Sequence, residues 1–257
     1  MNIMNYKVEG NGEALVFIHG LSDSLLYWEV LASNLKRDYQ VIRVDLRGHG
    51  ESELGNDEIT IELYAKDLAN LLNELNVGKV NLIGFSLGGA IALDFAITYP
   101  EKVASLVLMS CFSKIDNHLA AVFNEFKNAL NSSFEDFYDL ILPMVLCSEV
   151  IDDNYDDLEF LKHLASQTAN VQAYIKAIDA SLDFDVGDKL SKIDVPALIL
   201  AGEYDEITPV SIQKDICAKI GNSKMIVLDD VKHNLLVGKN NGKILNILIE
   251  FLKIKGK

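Results

Sequence analysis

Residues Val80–Leu93 read VNLIGFSLGGAIAL, and this stretch decides how the rest of the chain is read. An apolar run ends in Gly-Phe-Ser-Leu-Gly-Gly and passes into a segment of small and aliphatic residues. Glycine weakens helices and strands alike, so Gly84, Gly88 and Gly89 need a reason. G-x-S-x-G between a buried strand and a helix supplies one. It forms a turn so tight that the serine takes a strained backbone and its hydroxyl projects above a sheet. Ser86 is therefore the candidate nucleophile. Gly84 and Gly88 are expected where a Cβ would collide with a neighbouring strand or helix, and Gly89 extends that approach. The helix after Ser86 would aim its N-terminal amides at a bound group and favour negative charge there.

Outward from this turn, short apolar runs alternate with helical patterns. Ala14–Gly20, Tyr39–Asp45, Lys79–Phe85, Val103–Ser110, Pro196–Gly202 and Lys224–Asp230 have the length and β-branched content of strands buried on both faces. Between them, Ile61, Tyr64, Ala65, Leu68, Leu72 and Leu75 recur at helical spacing behind a cap at Thr60. Ser86–Tyr99 forms a second helix, stopped by Pro100. Such alternation predicts a mostly parallel sheet with helices on both faces, and Tyr6–Val8 is expected as an antiparallel edge strand.

One stretch breaks the rhythm. From Cys111 to about Ile193 the chain carries helical segments and no convincing strand, too long for an ordinary connection. It is expected to be a helical cap over the carboxyl edge of the sheet, where open α/β sheets bind ligands. The predicted organisation is thus a core of residues 1–110 and 194–257, with residues 111–193 as the cap inserted before the last two strands. The C-terminal NGKILNILIEFLKIKGK is expected to close the fold as an amphipathic helix.

Composition narrows the function. A formal net charge of −15 argues against non-specific nucleic-acid binding, which needs Lys and Arg to neutralise phosphates. The acidity suits a solvated surface. No apolar run approaches the roughly 20 residues of a membrane span. Cys111, Cys147 and Cys217 are scattered and show no metal-ligand spacing, so reduced packing residues are expected. With no basic-then-apolar leader at the N-terminus, a cytoplasmic location is expected, and no metal or organic cofactor is called for. The expected partner is a small-molecule substrate; the oligomeric state is open.

Serine is a weak nucleophile and needs a base. Of five histidines, His118 and His163 fall in the cap, His49 in the glycine-rich DLRGHGES, and His19 at the end of a core strand. His233 follows the last strand, at the same sheet edge as Ser86, and is the base candidate. An acid must set its tautomer and stabilise the imidazolium. Asp205, in LAGEYDEITP, follows the Pro196–Gly202 run at that edge; Asp116, Asp229 and Asp230 are its rivals. The backbone amides of Leu21, in FIHGL, and Leu87 are the candidate donors to an oxyanion.

FIHGLSDS, DLRGHGES, GFSLGG, PALILAGEYDEITP and KHN, in this order from Phe17 to Asn234, resemble the α/β-hydrolase superfamily, in its small esterase-like branch. The resemblance implies a sheet of seven or eight strands, with Ser86, Asp205 and His233 in the positions of nucleophile, acid and base, and Leu21 and Leu87 in those of the oxyanion donors. One departure is Lys232, where such enzymes commonly carry glycine before the histidine. The expected activity is hydrolysis of a small, largely apolar carboxylester or lactone through an acyl-enzyme. Trp28, Phe85, Phe123 and Phe126 are the expected pocket residues. Two alternatives share the framework: a ligand-binding signalling protein with slow or no turnover, and a lyase or carbon–carbon hydrolase.

Overall fold

A computed structural model describes residues 3–238 and 240–254. Among them run seven strands: β1 (Tyr6–Glu9), β2 (Ala14–Ile18), β3 (Gln40–Val44), β4 (Val80–Phe85), β5 (Val103–Met109), β6 (Ala197–Gly202) and β7 (Ser223–Leu228). They form one sheet in the order β1-β3-β2-β4-β5-β6-β7. β1 lies antiparallel to β3, and every other pairing is parallel. The strands expected from the sequence are therefore present with ends shifted by a residue or two: most are trimmed, while β1 runs on to Glu9 and β7 starts one residue early, at Ser223.

Both faces of the sheet are covered, because successive side chains on a strand point to opposite sides and both sides here are apolar. Val16, Ile18, Ile42 and Leu82 join a core with α2 (Ile61–Glu74), α3 (Leu87–Thr98) and α9 (Val210–Lys219). Leu15, Phe17, Val41 and Ile83 join the other core with α1 (Glu29–Leu35) and α10 (Asn240–Ile254). The last three residues of the helix expected at the C-terminus, 255–257, lie outside the described residues. The Thr60 hydroxyl caps α2 by accepting from the Leu63 amide at 3.0 Å. α3 has no polar stripe at all, and its residues from Leu87 to Ala96 are buried, as befits a helix between the sheet and a second helix layer.

Between β5 and β6 the chain folds into α4 (Asn117–Ser132), α5 (Phe134–Val145), α6 (Ser148–Asp153), α7 (Tyr155–Thr168) and α8 (Val171–Leu182). The helical insertion ahead of the last two strands is thus as expected. A single antiparallel bridge between Lys114 and Asp185 draws its two ends together, so β5 and β6 stay paired beneath it. α4, α5 and α8 contribute Leu119, Phe123, Phe137 and Ile178 to the core that contains α3. No helix among the described residues is long and apolar enough to cross a membrane.

Strand order locates the site. β2 pairs with β3 on one side and β4 on the other, so the chain reverses its direction of winding there. Ligands in open α/β sheets bind outside the carboxyl ends of the strands at such a switch point. Leu21 follows β2 and Ser86 follows β4.

Candidate active site

Ser86 stands at the joint of β4 and α3 with φ 52° and ψ −115°, a left-handed backbone that non-glycine residues avoid. The helix expected to begin at Ser86 begins instead at Leu87, because this φ takes the serine out of the helix. Its amide donates to the Met109 carbonyl at 2.9 Å, and its carbonyl accepts from Gly89 at 2.9 Å. The turn is possible because backbones pass where side chains would stand. A Cβ on Gly88 would lie 2.2 Å from the Ile18 carbonyl oxygen, and one on Gly20 would meet the Phe85 ring at 3.0 Å. Gly84 and Gly89 are crowded in the same way.

Gly20 also brings the loop after β2 against the nucleophile, since its Cβ position is 3.4 Å from the Ser86 Cβ. His19 organises that loop. Its Nδ1 donates to the Gly20 carbonyl at 2.7 Å and its Nε2 accepts from the Leu46 amide at 3.0 Å. Burial pushes the His19 pKa down to about 4, so the ring stays neutral in this role. Among the described residues, the Leu21 and Leu87 amides donate to no loop carbonyl or side chain. They remain free for another acceptor.

His233 lies buried beyond β7, and its Nδ1 stands 2.9 Å from Oδ2 and 3.0 Å from Oδ1 of Asp205. Asp205 is also buried. Its Oδ1 accepts from the amides of Ile207 at 2.9 Å and Thr208 at 2.8 Å, and its Oδ2 accepts from the Thr208 hydroxyl at 2.8 Å. Burial by itself would raise the Asp205 pKa. The charge of His233, its Nδ1–H and the Thr208 donors outweigh burial and hold the carboxyl below the ordinary carboxylate range. An ionised Asp205 keeps the Nδ1–H tautomer and leaves Nε2 as the basic nitrogen.

The rival carboxylates are otherwise engaged or exposed. Asp116 caps α4, accepting from the Leu119 amide at 2.9 Å, and Asp229 and Asp230 are exposed. His118 and His163 are exposed on the helical insertion, while His49 is buried and donates from Nδ1 to the Arg47 carbonyl at 3.1 Å.

Ser86 and His233 open onto one cavity of about 530 Å³, which Leu21, Leu87 and Phe85 also line. α4, α5 and α7 roof it with Phe123, Phe126, Phe137, Leu142 and Leu161, so its walls are largely apolar. Trp28 is a correction. It is 0% exposed and packs against Phe17 and Tyr27 in the opposite core, away from the cavity. Its indole is used up in packing between β2 and the helix that follows, so none of it is left to face a substrate.

Lys232, the departure from the usual glycine, holds the histidine loop to its surroundings. Its ammonium donates to the Pro143 carbonyl at 2.7 Å and pairs with Glu206 at 2.8 Å. Sequence reading missed Thr208, which sits three residues after Asp205 at a spacing that suits a local side-chain bond. It also missed the α5 and α7 residues of the cavity roof.

The sequence from residue 13 to residue 143 matches the profile of a family described as alpha/beta hydrolase fold. The chain belongs to that family. This alpha/beta hydrolase is 30% identical over 215 residues to a putative carbamate hydrolase of Variovorax paradoxus, with 80% of each chain covered. It is 27% identical over 238 residues to a pimeloyl-[acyl-carrier protein] methyl ester esterase of Aliivibrio salmonicida, covering 89% of this chain and 88% of that one. Uncharacterized mycobacterial proteins match at 34% identity over 105 residues, and the hydrolase spans only 31% of their length. Its fold superposes on the enol-lactonase of Burkholderia xenovorans with a TM-score of 0.89 at 21% identity, covering 97% and 96% of the two chains.

Proposed function

We propose that this alpha/beta hydrolase is a serine hydrolase that cleaves a small, largely apolar carboxylester or lactone through an acyl-enzyme on Ser86. One observation carries the reading: a serine on a left-handed turn and a histidine held by a buried carboxylate line the same apolar cavity. Relatives named as an esterase, a carbamate hydrolase and an enol-lactonase agree with it, since each name describes cleavage at an ester, carbamate or lactone carbonyl.

In the first half-reaction the Ser86 hydroxyl oxygen bonds to the substrate carbonyl carbon while its proton passes to His233 Nε2. The carbonyl electron pair moves onto oxygen, and the Leu21 and Leu87 amides donate to that oxyanion. Each such donor is worth about 10²–10³ in rate. Collapse breaks the bond to the alkoxy group, which leaves with the proton from His233. Water then attacks the acyl-enzyme with His233 as base, and the acid departs as Ser86 regains its proton. Asp205 remains ionised throughout and stabilises the imidazolium.

The test is covalent. An alkyl fluorophosphonate is expected to label Ser86 stoichiometrically, and Ser86→Ala is expected to lose both labelling and hydrolysis of p-nitrophenyl esters without unfolding. Labelling that survives Ser86→Ala would assign the chemistry to another nucleophile.

A further inference from the structure

One carboxylate in the cavity has no part in the steps above. Asp23 lies two residues beyond Leu21 in the loop between β2 and α1, and it lines the cavity that Ser86 and His233 share. Its Oδ1 accepts from the Ser24 amide at 2.9 Å, while Oδ2 has no protein partner among the described residues. Nearby Asp45 is the contrast. Its Oδ1 accepts from the Leu25 amide at 2.6 Å, and its Oδ2 accepts from Asn5 Nδ2 at 2.8 Å and the Glu51 amide at 3.0 Å. Both Asp45 oxygens are taken by the fold, and Asp23 is left with an acceptor to spare in a largely apolar cavity.

The groups around Asp23 do not neutralise it. Asp45 faces it from the end of β3, the Tyr27 hydroxyl from its own loop, and Tyr174 from α8, and His233 lines the same cavity. The Tyr27 hydroxyl is spent on Asn234 Oδ1, to which it donates at 3.0 Å. No lysine or arginine among the described residues forms an ion pair with Asp23. A half-buried, unpaired carboxylate is costly to ionise and gains from an opposite charge brought by a ligand.

The cavity has both buried and exposed walls. Phe112, Phe126 and Phe137, each at most 2% exposed, are fully buried walls. Leu26, three residues after Asp23, is 68% exposed, and Leu161 and Leu164 of α7 are exposed lining residues as well. The alcohol portion of an ester is assigned to the Asp23 side and the acyl group to the phenylalanine walls, so charge is varied only in the alcohol.

We infer that Asp23 is a specificity-determining residue: it favours esters whose alcohol portion carries a cation and disfavours those whose alcohol portion carries a carboxylate. The inference rests on the serine hydrolase reading. Burial pushes the Asp23 carboxyl up to about 7, with the Ser24 amide opposing and the charge of Asp45 adding to the rise. Preference for a cation is therefore present above that pH and fades below it.

Three butanoate esters of similar shape supply the test: 3,3-dimethylbutyl (neutral), choline (permanently cationic) and 2-carboxyethyl (anionic). At about pH 8 the wild-type kcat/KM is expected to fall about tenfold from cation to neutral and again to anion, the modest end for a partly desolvated charge pair. Asp23→Asn keeps the Oδ1 acceptor for Ser24 and is expected to bring both ratios close to one. Ratios are taken within one preparation, so a loss of folded protein cancels. In the wild type, acidification from about pH 8 to about pH 6 is expected to lower the cation-to-neutral ratio from about tenfold to about twofold, because only about a tenth of Asp23 stays ionised at the lower pH. Taking the ratio of two substrates cancels any change common to both. Should Asp23→Asn fail to fold, this series decides alone, and a ratio flat with pH overturns the assignment. Hydrolysis of the neutral ester without charge discrimination, or discrimination that survives Asp23→Asn, also overturns it while the hydrolase reading stands. A wild type no faster than Ser86→Ala on the neutral ester defeats both.

Discussion

Replacing Asp205 by asparagine changes one oxygen into an amide and tests the least visible member of the proposed triad. The retained Oδ1 can still accept from the amides of Ile207 and Thr208, so the turn after β6 survives and the variant is expected to fold. The new NH2 takes the place of Oδ2, facing the Thr208 hydroxyl and His233 Nδ1, which stands 2.9 Å away. An N–H aimed at Nδ1 makes that nitrogen an acceptor and puts the ring proton on Nε2, the nitrogen that must be basic. The imidazolium also loses its counter-charge in a buried setting. General acid–base catalysis contributes about 10²–10⁴-fold, and a kcat loss of that order is expected with KM little changed. The control is Asp116→Asn, which replaces one good helix cap by another at an exposed position and is expected to cost little. Steady-state hydrolysis of one good p-nitrophenyl ester by the three proteins decides it. Asp205→Asn retaining more than about a tenth of the wild-type kcat would refute the tautomer reasoning. A crippled Asp116→Asn would move the acid to the loop after β5.

Two further perturbations test the frame that holds the site. Gly88→Ala puts a methyl 2.2 Å from the Ile18 carbonyl oxygen, which is backbone and cannot turn aside. Thermal unfolding is expected to show a loss of about 1–3 kcal/mol or more, whereas Gly78→Ala, with nothing within 4 Å, should be silent. Glu9 pairs with the buried Arg43 guanidinium at 2.6 Å and with Lys36 at 2.8 Å. The Lys36 bond, with Arg43 and Lys7 helping against the cost of burial, lowers its pKa to about 2. Because the folded pKa lies below the unfolded one of about 4.3, its stabilisation is complete above that value and is lost as pH falls toward 2. The melting-temperature gap between wild type and Glu9→Gln is expected to be full near neutral pH and to close over that range; a gap that is constant with pH would contradict it.

Strand positions were legible because a strand buried on both faces must be apolar throughout, and the runs that became β2 to β6 stand out in this way. The Lys224–Asp230 run, expected to be buried likewise, forms the edge strand β7 and is only part-buried, since nothing pairs beyond it among the described residues. The elbow was legible because its glycines answer to backbone collisions that hold wherever a strand turns sharply into a helix, and Gly88 against Ile18 is such a collision. The edge strand Tyr6–Glu9 could be anticipated for its place but not for its partner, since pairing with β3 is settled by the sheet as a whole. The pocket was legible only in part. Phe123 and Phe126 do line the cavity, while Trp28 supports the opposite core, and nothing in local spacing distinguishes an aromatic that faces a void from one that faces a strand.

By itself, then, the sequence determined the alternation of strand and helix, the helical insertion before β6, the turn at Ser86 and the order in which serine, aspartate and histidine follow one another. Those are local matters, governed by side-chain period, by glycine at crowded turns and by where apolar runs begin and end. Only the tertiary structure decided that Asp205 reaches His233 Nδ1 across 28 positions of chain, that Thr208 fastens that carboxylate, and that Asp116 is consumed as a helix cap. It likewise decided that Asp23 faces the cavity with an acceptor unfilled while Asp45 has none. The two aspartates are chemically alike in the sequence. What separates them is which amides the folded chain happens to bring within reach, and that is a property of packing between distant segments rather than of any short stretch.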